Sequence, residues 1–234
     1  MLGAAFVLSQ RERWDAWRAS LFGPAPARYP VRGIDVSHHQ GRIDWQLVRA
    51  SGQSFAFIKA SEGADFRDTR FDENWHSARA AGLVTGAYHY FTFCAPGLLQ
   101  AENFLAVAPR ERLALPPAVD VEYTGNCAGW ESLEDVRREL HVFIRHSESQ
   151  LGQALLLYTS EEVWRELVPP ELRQHRYWLR SLWGQPGTDL DWHFWQYSDT
   201  GAVPGVRGPV DLNVFAGPAA GWEAFVARPR AELD

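Results

Sequence analysis

Residues 117–123 read Pro117-Ala118-Val119-Asp120-Val121-Glu122-Tyr123. Side chains alternate along a strand, so Ala118, Asp120 and Glu122 share one face while Val119 and Val121 take the other. The segment lies between two stretches with helical spacing, Leu98–Val107 and Leu133–Gln150. A short apolar strand bracketed by helices belongs to a parallel sheet that is covered on both faces. Outward from it, the pattern predicts further strands at Arg32–Ser37, Phe55–Ala60, Thr85–Phe93, Leu155–Thr159, Tyr177–Leu182, His193–Ser198 and Val210–Phe215. Helices are predicted at Trp45–Ala50, Phe71–Ala81 and Glu161–Leu167 as well. After Tyr177–Leu182 the helical pattern stops, and loops containing Pro and Gly connect the rest. Eight strands joined by right-handed crossovers fit an α/β fold, a modified TIM-like (β/α) barrel with the outer helices missing after the last strands. An open doubly wound sheet is the alternative, although no glycine-rich phosphate fingerprint follows the first strand.

The chain has 234 residues, 46% of them hydrophobic and 22% charged, within the globular range. Its formal net charge of −6 comes without a basic stripe, so the footprint of nucleic-acid binding is absent. No apolar run reaches the length of a membrane span. Residues 1–8, MLGAAFVL, are apolar but lack the basic start and small-residue cleavage site of a complete signal peptide. They read as the remainder of an anchor or signal, or as a frayed start. Ser9 and Glu12 form a capping-box pattern, after which Trp14, Trp17 and Leu21 fall on one helical face. Gly23-Pro24-Ala25-Pro26 then acts as a stiff linker. The organisation expected is an N-terminal appendage over 1–30, a barrel over 31–218 and a C-terminal tail over 219–234.

In a parallel barrel the C-terminal strand ends form the catalytic mouth. Asp120 and Glu122 stand on one face, about 6.5–7 Å apart at Cα by strand rise. Burying both ionised is unfavourable, so one holds its proton. A split into one acid and one anion is what glycosidic cleavage needs. Asp35, in Gly33-Ile34-Asp35-Val36-Ser37, and Asp211, on the final strand, lie close together if the barrel closes. Ion pairing of Asp120 and Glu122 with arginines on a solvated face is the plainer alternative.

These residues belong to an ordered set. Gly33-Ile34-Asp35-Val36-Ser37, Ile58-Lys59-Ala60-Ser61-Glu62-Gly63, Gly86-Ala87-Tyr88-His89-Tyr90-Phe91, Asp120-Val121-Glu122, Trp195-Gln196-Tyr197 and Val210-Asp211-Leu212-Asn213 follow one another over about residues 31–217. With them the chain resembles the glycoside hydrolase family 25 lysozymes, the Chalaropsis-type muramidases. The resemblance implies hydrolysis of the β-1,4 bond between N-acetylmuramic acid and N-acetylglucosamine in peptidoglycan, with no metal or other cofactor. It implies Glu122 as general acid/base and an anionic Asp120 as nucleophile or as the group that steadies the substrate's 2-acetamido. Asp35 and Asp211 match two supporting aspartates.

Around this set, Lys59, the chain's only lysine, is a candidate partner for the acids, and Glu62 matches a family position. Tyr88 and Tyr90 share one face and are candidates for sugar contacts; Trp195 and Tyr197 share another and offer a sugar platform. His38, His39 and His89 lack metal-site spacing, so no metal is expected. Cys94 and Cys127 follow neighbouring strands onto one rim, which makes a disulfide geometrically feasible, with two separate thiols the alternative. A bridge would point to an oxidising compartment. The expected setting is secreted or in the cell envelope or periplasm, with a monomer acting on peptidoglycan glycan strands, without nucleic acid or tight membrane insertion. A non-catalytic amino-sugar-binding module and a chitin-type barrel hydrolase are the rival readings.

Overall fold

The computed structural model describes residues 14, 17, 21–109, 115–128, 132–187 and 190–227. Eight strands close a barrel: β1 (Arg32–Val36), β2 (Gln53–Glu62), β4 (Val84–Tyr90), β5 (Ala118–Asp120), β6 (Leu156–Ser160), β7 (Arg176–Arg180), β8 (Trp192–Gly201) and β9 (Val210–Phe215). A two-residue strand, β3 (Phe66–Arg67), pairs antiparallel with the end of β2. The order is β1-β9-β8-β7-β6-β5-β4-β2, and parallel pairing of β1 with β2 closes the ring. Outside lie α1 (Trp45–Ala50), α2 (Phe71–Ala80), α3 (Gly97–Leu105), α4 (Leu133–Leu151) and α5 (Glu161–Leu167).

The barrel differs from the expected all-parallel one in its last strand, since β9 runs antiparallel to both β8 and β1. The cause is connection length. A parallel crossover takes about a dozen residues or more, and only 202–209 separate β8 from β9. Strand β5 is also shorter than the alternating pattern, because the chain after Asp120 turns into the rim loop. The stretch after residue 218, read as a tail, contains α6 (Ala219–Ala227). Its Trp222 and Phe225 pack on Phe55, Phe194 and Phe215 and cover the lower end of the barrel.

Alternation sorts the side chains into two cores. Val119 and Val121 join Phe104, Leu140 and Phe143 in the layer between sheet and helices, whereas Ala118 joins Phe55, Phe57, Trp178 and Phe194 inside the ring. The interior is filled by aromatic rings in layers, among them Phe57 stacked on Trp178 at 4.2 Å. Gly33 and Gly86 face inward and make room for these rings. A Cβ at Gly33 would stand 2.4 Å from the Phe55 ring, and one at Gly86 2.6 Å from that of Phe57.

In the N-terminal stretch Ser9 and Glu12 fall outside the described residues, while Trp14 and Trp17 are helical and exposed, with ring centroids 4.8 Å apart. Tyr29 is buried against Trp195 and Val214 on the outside of the barrel. Among the described residues no helix is long and apolar enough to cross a membrane.

Because Phe55 is fully buried and has no room to withdraw, Gly33→Ala is expected to lower stability by about 1–3 kcal/mol. Urea unfolding measures this; an unchanged midpoint would contradict the close-packed interior.

Candidate active site

Above the aromatic layers, the upper end of the barrel encloses a cavity of about 230 Å³. Every barrel strand sends an inward residue to it, and β4 sends two: Asp35 from β1, Lys59 from β2, Tyr88 and Tyr90 from β4, Asp120 from β5, Tyr158 from β6, Trp178 from β7, Gln196 from β8 and Asp211 from β9. Glu122 reaches it from the loop after β5. The predicted acids, Lys59 and both tyrosines therefore meet at one place. Glu62 stands beside it, where its Oε2 accepts from Lys59 Nζ at 2.5 Å, and the lysine also lies 4.8 Å over the Tyr90 ring.

The loop carrying Glu122 is tied down from several sides. Asn126 Nδ2 donates to the Glu122 carbonyl at 3.0 Å and to that of Phe91 at 2.9 Å. Its Oδ1 accepts from the backbone N–H groups of Phe93 and Cys127. The Tyr90 hydroxyl donates to the Thr124 carbonyl at 2.9 Å. Cys94 and Cys127 are joined in a disulfide between the rims after β4 and β5. Asn126 thus uses its amide in full, which holds the loop backbone in one shape.

Trp195 and Tyr197 are not brought to the cavity. Trp195 is only 1% exposed and packs outside the ring with Tyr29 and Val214, its indole N–H donating to the Ser181 carbonyl. Tyr197 packs beside it. Alternation on β8 instead turns Gln196 inward. Gln196 and Asn213, with Tyr158 and Trp178, are site residues that the sequence reading missed. Asn213 follows Asp211 by two, the same signal that joins Asp120 to Glu122. His89 also points outward, between Phe104 and Phe143, with its ring nitrogens on Ser61 and Gln100. Burial lowers its pKa to about 3 and keeps it neutral.

Burial raises the proton affinity of all four acids. Glu122 is pushed up to about 7, first by desolvation and further by the charge of Asp35, against the pull of Arg180 and Lys59. Asp120 is raised well above the usual range by desolvation and then by Glu122, with Lys59 opposing. Its Oδ1 is buried and accepts no hydrogen bond. The expectation of an anionic Asp120 thus meets a resting site in which Asp120 resists ionisation, because burial and the charge of Glu122 oppose it and no donor supports that oxygen. Asp211 is also raised well above its usual value, by burial and by Asp35. Asp35 is raised by burial but pulled back by hydrogen bonds from Asn213 and Gln196.

The model of the glycosyl hydrolases family 25 matches residues 34–206. The chain is 36% identical over 208 residues to the uncharacterized protein YegX of Escherichia coli (strain K12), covering 86% of this chain and 75% of that one. It is 35% identical over 213 residues to lysozyme M1 of Streptomyces globisporus, covering 85% and 71%. Among solved structures, a family 25 glycosyl hydrolase from Bacillus anthracis aligns with a TM-score of 0.77 at 37% identity, over 84% of this chain and 94% of that one.

Holding a proton on Glu122 up to about pH 7 makes stability depend on pH. Its usual value is 4.5, so between that and 7 the folded chain binds the proton more tightly than the unfolded one. This contribution is complete at low pH and lost as pH rises through about 7. Glu122→Gln removes the ionisation and is expected to be more stable than wild type at pH 8, by up to about 3 kcal/mol, with the gap closing at pH 4. Urea unfolding at both pH values measures it; a Gln variant less stable at pH 8 would contradict the shift.

Proposed function

Because the chain belongs to the glycosyl hydrolases family 25, we propose that it is a muramidase, hydrolysing the β-1,4 bond between N-acetylmuramic acid and N-acetylglucosamine in bacterial peptidoglycan. It is a glycoside hydrolase, and the observation that carries the finer reading is the convergence of four carboxyls on one cavity, Asp35 and Asp120 buried and Glu122 and Asp211 partly so, with Glu122 poised near neutrality.

In this reading Glu122 is the general acid. Protonated at and below about pH 7, it gives its proton to the glycosidic oxygen as the bond to the sugar's anomeric carbon breaks. The substrate's 2-acetamido carbonyl oxygen attacks that carbon from the opposite side and forms a cyclic oxazolinium. Its N–H then donates to Asp120 Oδ1, the buried acceptor without a partner. Such a bond favours the carboxylate, so Asp120 gives up its proton to solvent as the sugar binds and becomes the anion that offsets the growing positive charge. Glu122, now ionised, takes a proton from the water that opens the ring. Lys59, Tyr88 and Tyr90 border the cavity as sugar contacts, and Lys59 and Arg180 limit the accumulated negative charge around Glu122. The chain's place of work is the cell wall, reached by secretion or in the envelope.

Glu122→Gln is expected to fold normally and to lose about 10²–10⁴-fold in turnover on purified peptidoglycan. Products reduced with borohydride and analysed by mass spectrometry should carry new reducing ends on muramic acid. Wild-type turnover by the variant would remove Glu122 from the mechanism. Anhydro-muramic ends, or equal cleavage of chitin, would overturn the muramidase reading.

The rate profile supplies a second check. Since the acid must be protonated, kcat/KM should fall on the alkaline side with an apparent pKa near 7. A profile flat from pH 6 to 9 would contradict it.

A further inference from the structure

Asp35 and Asp211 stand directly opposite each other across the antiparallel β1–β9 pair, a position where two like charges repel. Each carboxyl acts on the proton affinity of the other, and holding one proton between the two removes the repulsion of adjacent anions. The surroundings of Asp35 are asymmetric. Its Oδ2 accepts from Asn213 Nδ2 at 2.7 Å and from Gln196 Nε2 at 3.0 Å. Neither amide is free to turn round. Asn213 Oδ1 accepts from Trp178 Nε1 at 2.7 Å, and an indole N–H can only donate. Gln196 Oε1 accepts from the Tyr158 hydroxyl at 2.8 Å. Gln196 and Asn213 are 2% and 0% exposed, so solvent does not compete for these bonds.

We propose that Gln196 and Asn213 are positioning residues for this carboxyl pair: their two N–H groups keep Asp35 the anion and leave the shared proton on Asp211, so that one fixed negative charge faces the bound sugar. Charge-assisted N–H donors stabilise a carboxylate and do nothing comparable for a carboxylic acid. An oxygen that already accepts two such bonds makes Asp35 the better acceptor of the pair. Trp178 and Tyr158 act one step further out by fixing which end of each amide points at Asp35. The other titratable groups facing the pair are Asp120 and Glu122 from the β5 side, Lys59 from β2 and Tyr88 from β4. Asp199 of β8 acts on Asp211, and Arg180 of β7 on Glu122. Asp199 and Glu122 favour the proton on Asp211, and the two amides act on Asp35 itself.

The kinetic half of the test rests on the function proposed above; the spectroscopic half does not. Gln196→Met keeps the bulk of the side chain and removes the donor, while Tyr158→Phe removes only the hydroxyl that orients Gln196. Carboxyl-¹³C aspartate labelling, assigned with D35N and D211N, follows the titration of the pair by NMR. In Q196M the titration of Asp35 should move up by about one pH unit, and in Y158F by less in the same direction. On peptidoglycan, kcat of Q196M should fall about 10- to 100-fold while KM stays within about twofold, and the acid limb of the profile should move up with the NMR titration. If Q196M does not fold, the Y158F titration decides alone. Folded variants that keep the wild-type titration and acid limb overturn the proposal. Should the wild type cleave no peptidoglycan, the proposed function fails, and the NMR titration still judges the role of the two amides.

Discussion

Four carboxyls desolvated in one cavity are the constraint on which the rest of the site depends. An isolated buried carboxylate is strongly unfavourable, and several side by side cannot all ionise. The molecule meets this in three ways. Lys59 and Arg180 supply positive charge near Glu122, two amides support Asp35, and protons stay where that help does not outweigh burial. The result is an ordered series of proton affinities from residues of nearly the same intrinsic acidity, with Glu122 the member that titrates near neutrality. The layered aromatic rings below make this possible, because they keep water from entering the carboxyl cluster from beneath.

The two cores divide the labour. Between sheet and helices, aliphatic and aromatic packing fixes the strands; inside the ring, the same strands present rings low down and polar groups at the top. A residue's function is then decided by parity and height along its strand. Phe55, Phe57 and Lys59 illustrate this on β2, as do Phe194 and Gln196 on β8, each inward series climbing from hydrocarbon to a polar end.

Much of this was legible in the sequence, because parity is a local property. The alternation in 118–122 predicts the shared face of Asp120 and Glu122, and the spacing of strands and helices predicts eight strands in sequence order. The direction of β9 was not read from the helix count, although the short 202–209 connection carried it. Trp195 and Tyr197 misled by residue type: an aromatic pair suggests a sugar platform, but Tyr29, from the stretch before β1, covers Trp195 on the outer face. Gln196 was passed over because a neutral amide shows no sign of chemistry until its two partners are seen. The resting state of Asp120 was likewise not readable, since it depends on how deeply the carboxyl is buried and on one oxygen that lacks a donor.

The lone lysine is among the least accessible cations of the chain, with a side chain only 9% exposed and engaged by Glu62. Every other basic side chain is an arginine, whose guanidinium stays protonated and takes no part in ordinary amine chemistry. Reagents that acylate or cross-link amines therefore find no exposed lysine side chain in residues 1–234. Any acylation of the ε-amine would report that a reagent had entered the barrel mouth, so that loss of such labelling reads out occupancy of the cavity directly.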